Sequence, residues 1–323
     1  MPARTGEQFL KGLRGPRDVW VDGEKIADVV DHPKLRGAAH ALAEVYDLHH
    51  AEAATCLAPD PETGEPIPVS HLIPHSREDL TRRHAALRQV AEFSVGLMGR
   101  TPDYMNVTYA GFAGRPDEWG AHGNDAGVER LVAYQKFLRR GDVALTHTIV
   151  QPTVDKATGD APSAGNAHAL RKVGDTEHGI VVRGARVLAT LAPFTDEIAV
   201  YPGAPLPQGS EDYALSFCIP VGTPGLKFLC RDSMSSPDNR FDFPLSGRFD
   251  EQDAFVIFDD VEVPRDRLFI DRNLAAYNTV MTSSWQPNIM QQTMIRAWTK
   301  LDFARGLALR MAASINAADP ETQ

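Results

Sequence analysis

Arg100, Tyr104 and His147 are the side chains of this sequence whose types, taken together, could do chemistry. Arg100 and Tyr104 stand four apart in Gly99-Arg100-Thr101-Pro102-Asp103-Tyr104, directly after a long amphipathic segment. His147 stands in a β-like run from Val143 to Val154 that Pro152 breaks. A guanidinium, a phenol and an imidazole at the ends of regular elements are what a site for an anionic aromatic substrate or a flavin needs. Spacing alone does not bring them together, and each has an ordinary reading. Arg100 can face solvent or pair with Asp103. Tyr104 can be a core tyrosine with a satisfied hydroxyl, and His147 a structural histidine.

The elements that must position these groups fall into three stretches. In the first, Thr5-Gly6-Glu7-Gln8 is a capping box for a short helix that Gly15-Pro16 stops. Asp22-Gly23 marks a hairpin between residues 18 and 26. A helix is expected from His32-Pro33, with Leu35, Ala38, Ala39, Leu42, Val45 and Tyr46 along its face. Residues 53–70, rich in Pro, Gly and acid, read as a surface loop. Ser76 caps a helix striped by Leu80, His84, Leu87, Ala91, Val95 and Met98 and ended by Gly99. Another helix is expected over Asp125–Arg140, with Val128, Leu131, Ala133, Gln135 and Leu138 roughly along one side.

After Gly141-Asp142 the pattern changes to period two. Strands are expected at 144–150, 180–190, 197–202, 213–221, 226–231 and 254–262, with turns at Gly184-Ala185 and Pro205–Gly209. The crossovers look too short for parallel βαβ units, so the middle reads as an antiparallel β-barrel or sandwich. From Asn273 the chain is helical again, interrupted at Pro287. Trp298, Leu301, Ala304, Leu307, Ala308, Met311 and Ile315 form an apolar stripe there that one helix cannot bury alone. The expected division is an N-terminal helical domain (1–141), a middle β domain (142–272) and the beginning of a C-terminal helical domain (273–323).

Composition narrows the function classes. Of the 323 residues 43% are hydrophobic and 24% charged, and 33 basic against 43 acidic residues leave a net charge of −10, poorly suited to nucleic acid. The three cysteines are widely spaced and form no metal-ligand pattern, so no metal site is expected. No apolar stretch approaches the roughly 18 residues of a membrane span. The N-terminus lacks a signal-peptide pattern. A cytoplasmic protein is the expectation. The Gly-rich dinucleotide fingerprint, the P-loop, GxSxG and HExxH are all absent from the sequence. His49-His50, if helical, point in different directions.

Several phrases carry a resemblance. Helix, β, helix is the order of the acyl-CoA dehydrogenase fold, and Phe258-Asp259-Asp260-Val261-Glu262-Val263-Pro264 is similar to the strand exit before its C-terminal bundle. The chain as a whole resembles the 4-hydroxyphenylacetate 3-monooxygenase oxygenase-component family of two-component, reduced-flavin-dependent phenol hydroxylases. The residues behind this are Thr5–Leu10, Gly99–Tyr104, Thr146-His147 through Asp155, Val187-Leu188-Ala189-Thr190 and Asp242–Glu251. The resemblance implies FADH2-dependent ortho hydroxylation of a 4-substituted phenol, through a flavin C4a-hydroperoxide with O2 as co-substrate. It implies that Arg100, Tyr104 and His147 bond the phenolic oxygen. His147, Thr148, Ile149, Thr153, Val154, Asp155, Lys156 and Thr190 would contact the flavin, and Pro202 and Gly203 would lie over the substrate. It further implies a separate NAD(P)H:flavin reductase, a homotetramer, and a phenol either free or tethered to a carrier. Family members continue into a C-terminal bundle, so the chain reads as truncated after its first helix.

Three readings compete. A 4-hydroxybutyryl-CoA dehydratase needs cluster-ligating cysteines, and Phe93–Met98 contains none. An acyl-CoA dehydrogenase needs a carboxylate usually supplied from further along the chain. A non-catalytic or truncated paralogue would bind flavin, an aromatic ligand or a partner, and flavin titration separates it from an oxygenase.

Overall fold

The Gln8 amide donates to Thr5 Oγ1 at 3.3 Å and the Thr5 amide to Gln8 Oε1 at 2.9 Å, so the capping box opens helix α1, Gly6–Leu13. The computed structural model describes residues 3–153, 166–236, 239, 241–283 and 285–317. Asp22 and Gly23, both at positive φ, turn the chain between β1 (Val19–Val21) and β2 (Glu24–Lys25). Helix α2, Arg36–Ala51, then buries Ala38, Ala39, Leu42, Val45 and Tyr46.

The stretch expected to be a loop is structured. It holds helix α3 (Ala53–Cys56) and a two-stranded hairpin of β3 (Leu57–Pro59) and β4 (Pro66–Pro68). Its prolines are tolerated because such a ribbon is all edge. Helix α4, Arg77–Phe93, starts at a Ser76–Asp79 capping box but ends well before Gly99, where Val95 and Gly96 take positive φ. Its inward face is Arg83, Ala86, Leu87, Val90 and Ala91, while Leu80 and His84 are exposed. The stripe count missed this register because it passed over a buried arginine: Arg83 Nε donates to Gln291 Oε1 at 2.8 Å.

Helix α5, Pro102–Ala113, is buried at every residue and therefore shows no stripe in sequence. It leads through α6 (Pro116–Trp119) to α7 (Asp125–Gly141), which buries Tyr134 where Ala133, expected inside, is exposed.

The middle region holds β5 (Leu145–Thr148), β6 (Arg171–Asp175), β7 (Gly179–Thr190), β8 (Glu197–Val200), β9 (Leu215–Pro220), β10 (Leu226–Cys230), helix α8 (Ser246–Phe249), β11 (Asp253–Pro264) and β12 (Leu268–Asp271). They form two open sheets, ordered β2-β1-β10-β11-β7-β6 and β12-β9-β8-β5, rather than a closed barrel. The N-terminal hairpin thus extends the larger sheet. The sheets are mixed, because β1 runs parallel to β10 and β5 parallel to β8. The β5–β8 crossover is made by strands of the other sheet, so no helix is needed. Ile198, Phe217 and Ile219 share one apolar core with Val182, Val256 and Phe258, and the Phe217 and Phe258 rings meet edge to face at 6.1 Å. Gly184-Ala185 is not a turn. Gly184, at φ +127°, passes through β7 opposite Phe258, where a Cβ would stand 2.4 Å from the Ala169 carbonyl.

Helices α9 (Leu274–Ser283) and α10 (Trp285–Ser314) follow, and the Pro287 expected to interrupt the helix falls in the first turn of α10. Trp298, Leu301, Leu307 and Met311 are each more than half exposed, as the stripe implied. Among the described residues no helix is long and apolar enough to cross a membrane.

Candidate active site

Strand pairing places the first two rings. The β5–β8 register sets His147 opposite Ala199. Residues two apart share a face, so Tyr201, just past the end of β8, comes beside the imidazole. The two rings stack at 5.5 Å between centroids with 21° between planes. Tyr104, on the first turn of α5, stacks with the same imidazole at 5.3 Å and 10°. The Arg100 guanidinium carbon lies 4.2 Å from the Tyr104 ring centroid. Arg100, Tyr104 and His147, far apart in sequence, are therefore contiguous, with Tyr201 as a fourth member that sequence reasoning missed.

Burial, with Arg100 nearby, pushes the His147 pKa down to about 3, so the imidazole is neutral at ordinary pH. Burial raises the Tyr104 phenol above its usual value, against the opposing pull of Arg100 and Arg296. Asp103 is not the partner of Arg100. It lies fully buried and is taken by Arg296 of α10, whose Nη2 donates to both carboxylate oxygens at 2.9 Å. The same guanidinium bonds Thr101 Oγ1 and the Met98 carbonyl. Arg100 Nη1 reaches the Gly99 carbonyl at 3.2 Å, whereas its buried Nε has no acceptor among the described residues. The Arg100 amide donates to Glu251, whose carboxyl burial pushes upward in pKa. Neither Glu251 nor Arg296 was singled out from sequence. Glu251 does end the Asp242–Glu251 phrase, which was the available signal.

Arg100 and Thr190 line one cleft of about 620 Å³, together with Arg231, Phe249, Glu251 and Lys300. Thr190 Oγ1 donates to Asp253 Oδ1, and the Thr190 carbonyl accepts from Thr146 Oγ1, both at 2.6 Å, which ties the end of β7 to the neighbour of His147. Thr148 is fully buried and its hydroxyl donates to the Val187 carbonyl at 3.3 Å. Ile149 offers its carbonyl to the buried Arg186 at 2.8 Å. Thr153 is exposed, and Val154, Asp155 and Lys156 lie outside the described residues. Pro202 is buried, and Gly203 packs so closely on Ile149 that a Cβ would stand 2.3 Å from its carbonyl oxygen. Beyond it, Leu206 and Asn278 exchange hydrogen bonds at 2.8 and 2.9 Å, pinning the loop to α9.

The architecture is of the acyl-CoA dehydrogenase-like class. It superposes with a TM-score of 0.85 on an archaeal 4-hydroxybutyryl-CoA dehydratase from N. maritimus, over 96% of this chain and 62% of that one, a likeness of fold alone at 21% identity. The chain belongs to the 4-hydroxyphenylacetate 3-hydroxylase family, whose N-terminal model matches residues 5–270. It is 38% identical over 320 residues to the 4-hydroxyphenylacetate 3-monooxygenase oxygenase component of Thermus thermophilus, covering 98% of this chain and 65% of that protein. It is 32% identical to the oxygenase component of a 4-nitrophenol 2-monooxygenase from a Rhodococcus species, over 95% and 59%. A crystal structure of the oxygenase component HpaB complexed with FAD and 4-hydroxyphenylacetate matches at a TM-score of 0.89 and 36% identity, over 96% of this chain and 64% of that one. The chain thus spans somewhat under two thirds of the length of these relatives.

Proposed function

We propose that this chain is part of the oxygenase component of a two-component monooxygenase. The protein would use reduced FAD and O2 to hydroxylate a 4-substituted phenol ortho to its hydroxyl. The observation that carries the reading is the contiguity of Arg100, Tyr104 and His147 beside a cleft that Arg100 shares with Thr190. The residues fit an anionic, planar cofactor: Arg100 has a buried Nε without an acceptor among the described residues, and Arg231 and Lys300 add cations to the cleft wall.

When bound, reduced FAD supplies the oxygen chemistry. His147, Thr148, Ile149, Thr153 and Thr190 are proposed to hold it, with Val154, Asp155 and Lys156 assigned by family membership. Because the Thr148 hydroxyl is already engaged, its contribution falls to the backbone. The task of this chain's own side chains is the phenol. Arg100 supplies the cation that stabilises a phenolate, and the protonated Tyr104 supplies a hydrogen-bond donor. A phenolate ring is more electron-rich at the ortho carbon than a phenol. His147, neutral and with a pKa near 3, is a weak proton acceptor while the site is empty of an anion, so its main role is to hydrogen-bond the phenolic oxygen. Pro202 and Gly203 place the loop that would select among phenols, whether free or carrier-tethered; relatives named for 4-hydroxyphenylacetate and for 4-nitrophenol accord with a variable pocket there.

The proposal extends to a separate NAD(P)H:flavin reductase as the source of reduced FAD, a homotetrameric assembly, a cytoplasmic location, and domains at 1–141, 142–272 and 273–323. The test is to supply reduced FAD from a reductase to the full-length protein with a panel of 4-substituted phenols under ¹⁸O₂. The expected product is a catechol carrying one labelled oxygen. Tight binding of reduced FAD with no labelled catechol from any phenol would refute hydroxylation and leave a non-catalytic flavin-binding protein.

A further inference from the structure

We infer that Tyr201 is a positioning residue for His147. Its ring, together with that of Tyr104, sets the plane of the imidazole and hence which edge His147 presents to a ligand beside Arg100. The functional consequence rests on the phenol-hydroxylase reading above; the geometry does not.

Among the described residues no hydrogen bond restrains the His147 ring, and as a neutral imidazole it has no charge through which an ion pair could hold it. What remains is ring contact. Tyr104 and Tyr201 lie nearly parallel to the imidazole, at 10° and 21°, with similar centroid separations of 5.3 and 5.5 Å. A ring in contact with two parallel neighbours cannot rotate about χ2 without displacing one of them.

Tyr201 is itself immobilised. It is 1% exposed, and Phe112 meets it edge to face at 5.5 Å and 76°. Trp119 packs behind Phe112 at 4.8 Å. Phe112 and Tyr104 are both on α5, so the helix that supplies one neighbour of the imidazole also buttresses the other. The β5–β8 pairing supplies the remaining constraint, since it fixes residue 201 on the face of residue 147. His147, Tyr104, Tyr201 and Phe112 thus form a unit built from one helix and two adjacent strands.

The unit implies that removing the Tyr201 ring disorders His147 and that removing only the hydroxyl does not. The test uses the full-length protein labelled with ¹³Cε1-histidine, the His147 signal being identified by its loss in H147N. Y201F is expected to keep the ring-current-shifted His147 signal, and Y201L to move it toward the position of an unstacked imidazole. With reduced FAD and 4-hydroxyphenylacetate, Y201L is expected to lose roughly tenfold in catechol formed per O2 consumed, with the Kd for reduced FAD unchanged. F112L, which removes only the buttress, is expected to shift the signal in the same direction by less, and it decides the matter if Y201L does not fold. An unmoved His147 signal in the ring-deleting variants, or equal losses in Y201F and Y201L, overturns the inference. If the wild-type protein makes no catechol, the hydroxylase reading fails and the histidine signal still decides whether Tyr201 positions His147.

Discussion

Arg296 and Asp103 form an ion pair that is almost wholly removed from solvent, with one guanidinium nitrogen 2.9 Å from each carboxylate oxygen. The pair joins α10 to the first turn of α5. Arg296 also grips the Thr101 hydroxyl and the Met98 carbonyl, so residues on both sides of Arg100 are held by a side chain of α10. The segment that carries Arg100 is thus placed by a second guanidinium.

Breaking this pair from one side leaves a buried carboxylate without its countercharge, with the Thr101 hydroxyl still donating to it. R296M is expected to destabilise the protein by about 3–5 kcal/mol in urea unfolding. Adding D103N to R296M is expected to recover part of that loss, because the uncompensated charge is removed. A single-variant cost below about 1 kcal/mol would show that the pair does not hold the loop.

R100K keeps the charge and loses the planar fork over Tyr104. The expected effect is about a tenfold weaker phenol interaction, read as a rise in KM, with a smaller change in overall stability. A KM equal to wild type would remove the guanidinium geometry from the site.

H147A is expected to impair hydroxylation more than flavin binding. The measurements are catechol formed per O2 consumed and the Kd for reduced FAD. Coupling in the variant equal to that of the wild type would count against the role assigned to the imidazole.

The low His147 pKa has a consequence for stability. Folded, the imidazole holds no proton above about pH 3; unfolded, it binds one below 6.5. Between those values the unfolded chain carries the extra proton, so stability rises with pH across the window and is level above it. H147N lacks this group. Subtracting its unfolding free energy from that of the wild type, pH by pH from 4 to 7, is expected to give a difference that climbs and then flattens near 6.5. A flat difference would mean that the imidazole is not buried in neutral form.

The sequence displayed the elements better than the contacts between them. Capping boxes at Thr5 and Ser76 and the Asp22-Gly23 turn are local, and the local chemistry decided them. Helix α5 has no legible stripe because every face of it is inside. Gly184-Ala185 looked like a turn because a glycine within a β-branched run commonly marks one, and only the Ala169 carbonyl passing across β7 shows why a strand needs a glycine there. In the site, Arg100, Tyr104 and His147 were visible through the family phrases around them. Tyr201 was not, because its place beside His147 follows from the parallel β5–β8 register, and no residue spacing encodes a register. Arg296 and Glu251 act on the backbone around residue 100 from positions 196 and 151 residues away, respectively, along the chain.

The loop after Tyr201 is fastened at two points, where Gly203 rests on the Ile149 carbonyl and where Leu206 and Asn278 bond one another. Between and beyond these fasteners, residues 204, 205, 207 and 208 are exposed and can change in size and polarity while the rivets stay put, whereas Gly209, at φ +84°, has to be kept. Under the proposed hydroxylase reading, a search for a different acceptor has a confined stretch to randomise, and a library that spares Gly203, Gly209 and Asn278 is expected to retain folded members at high frequency.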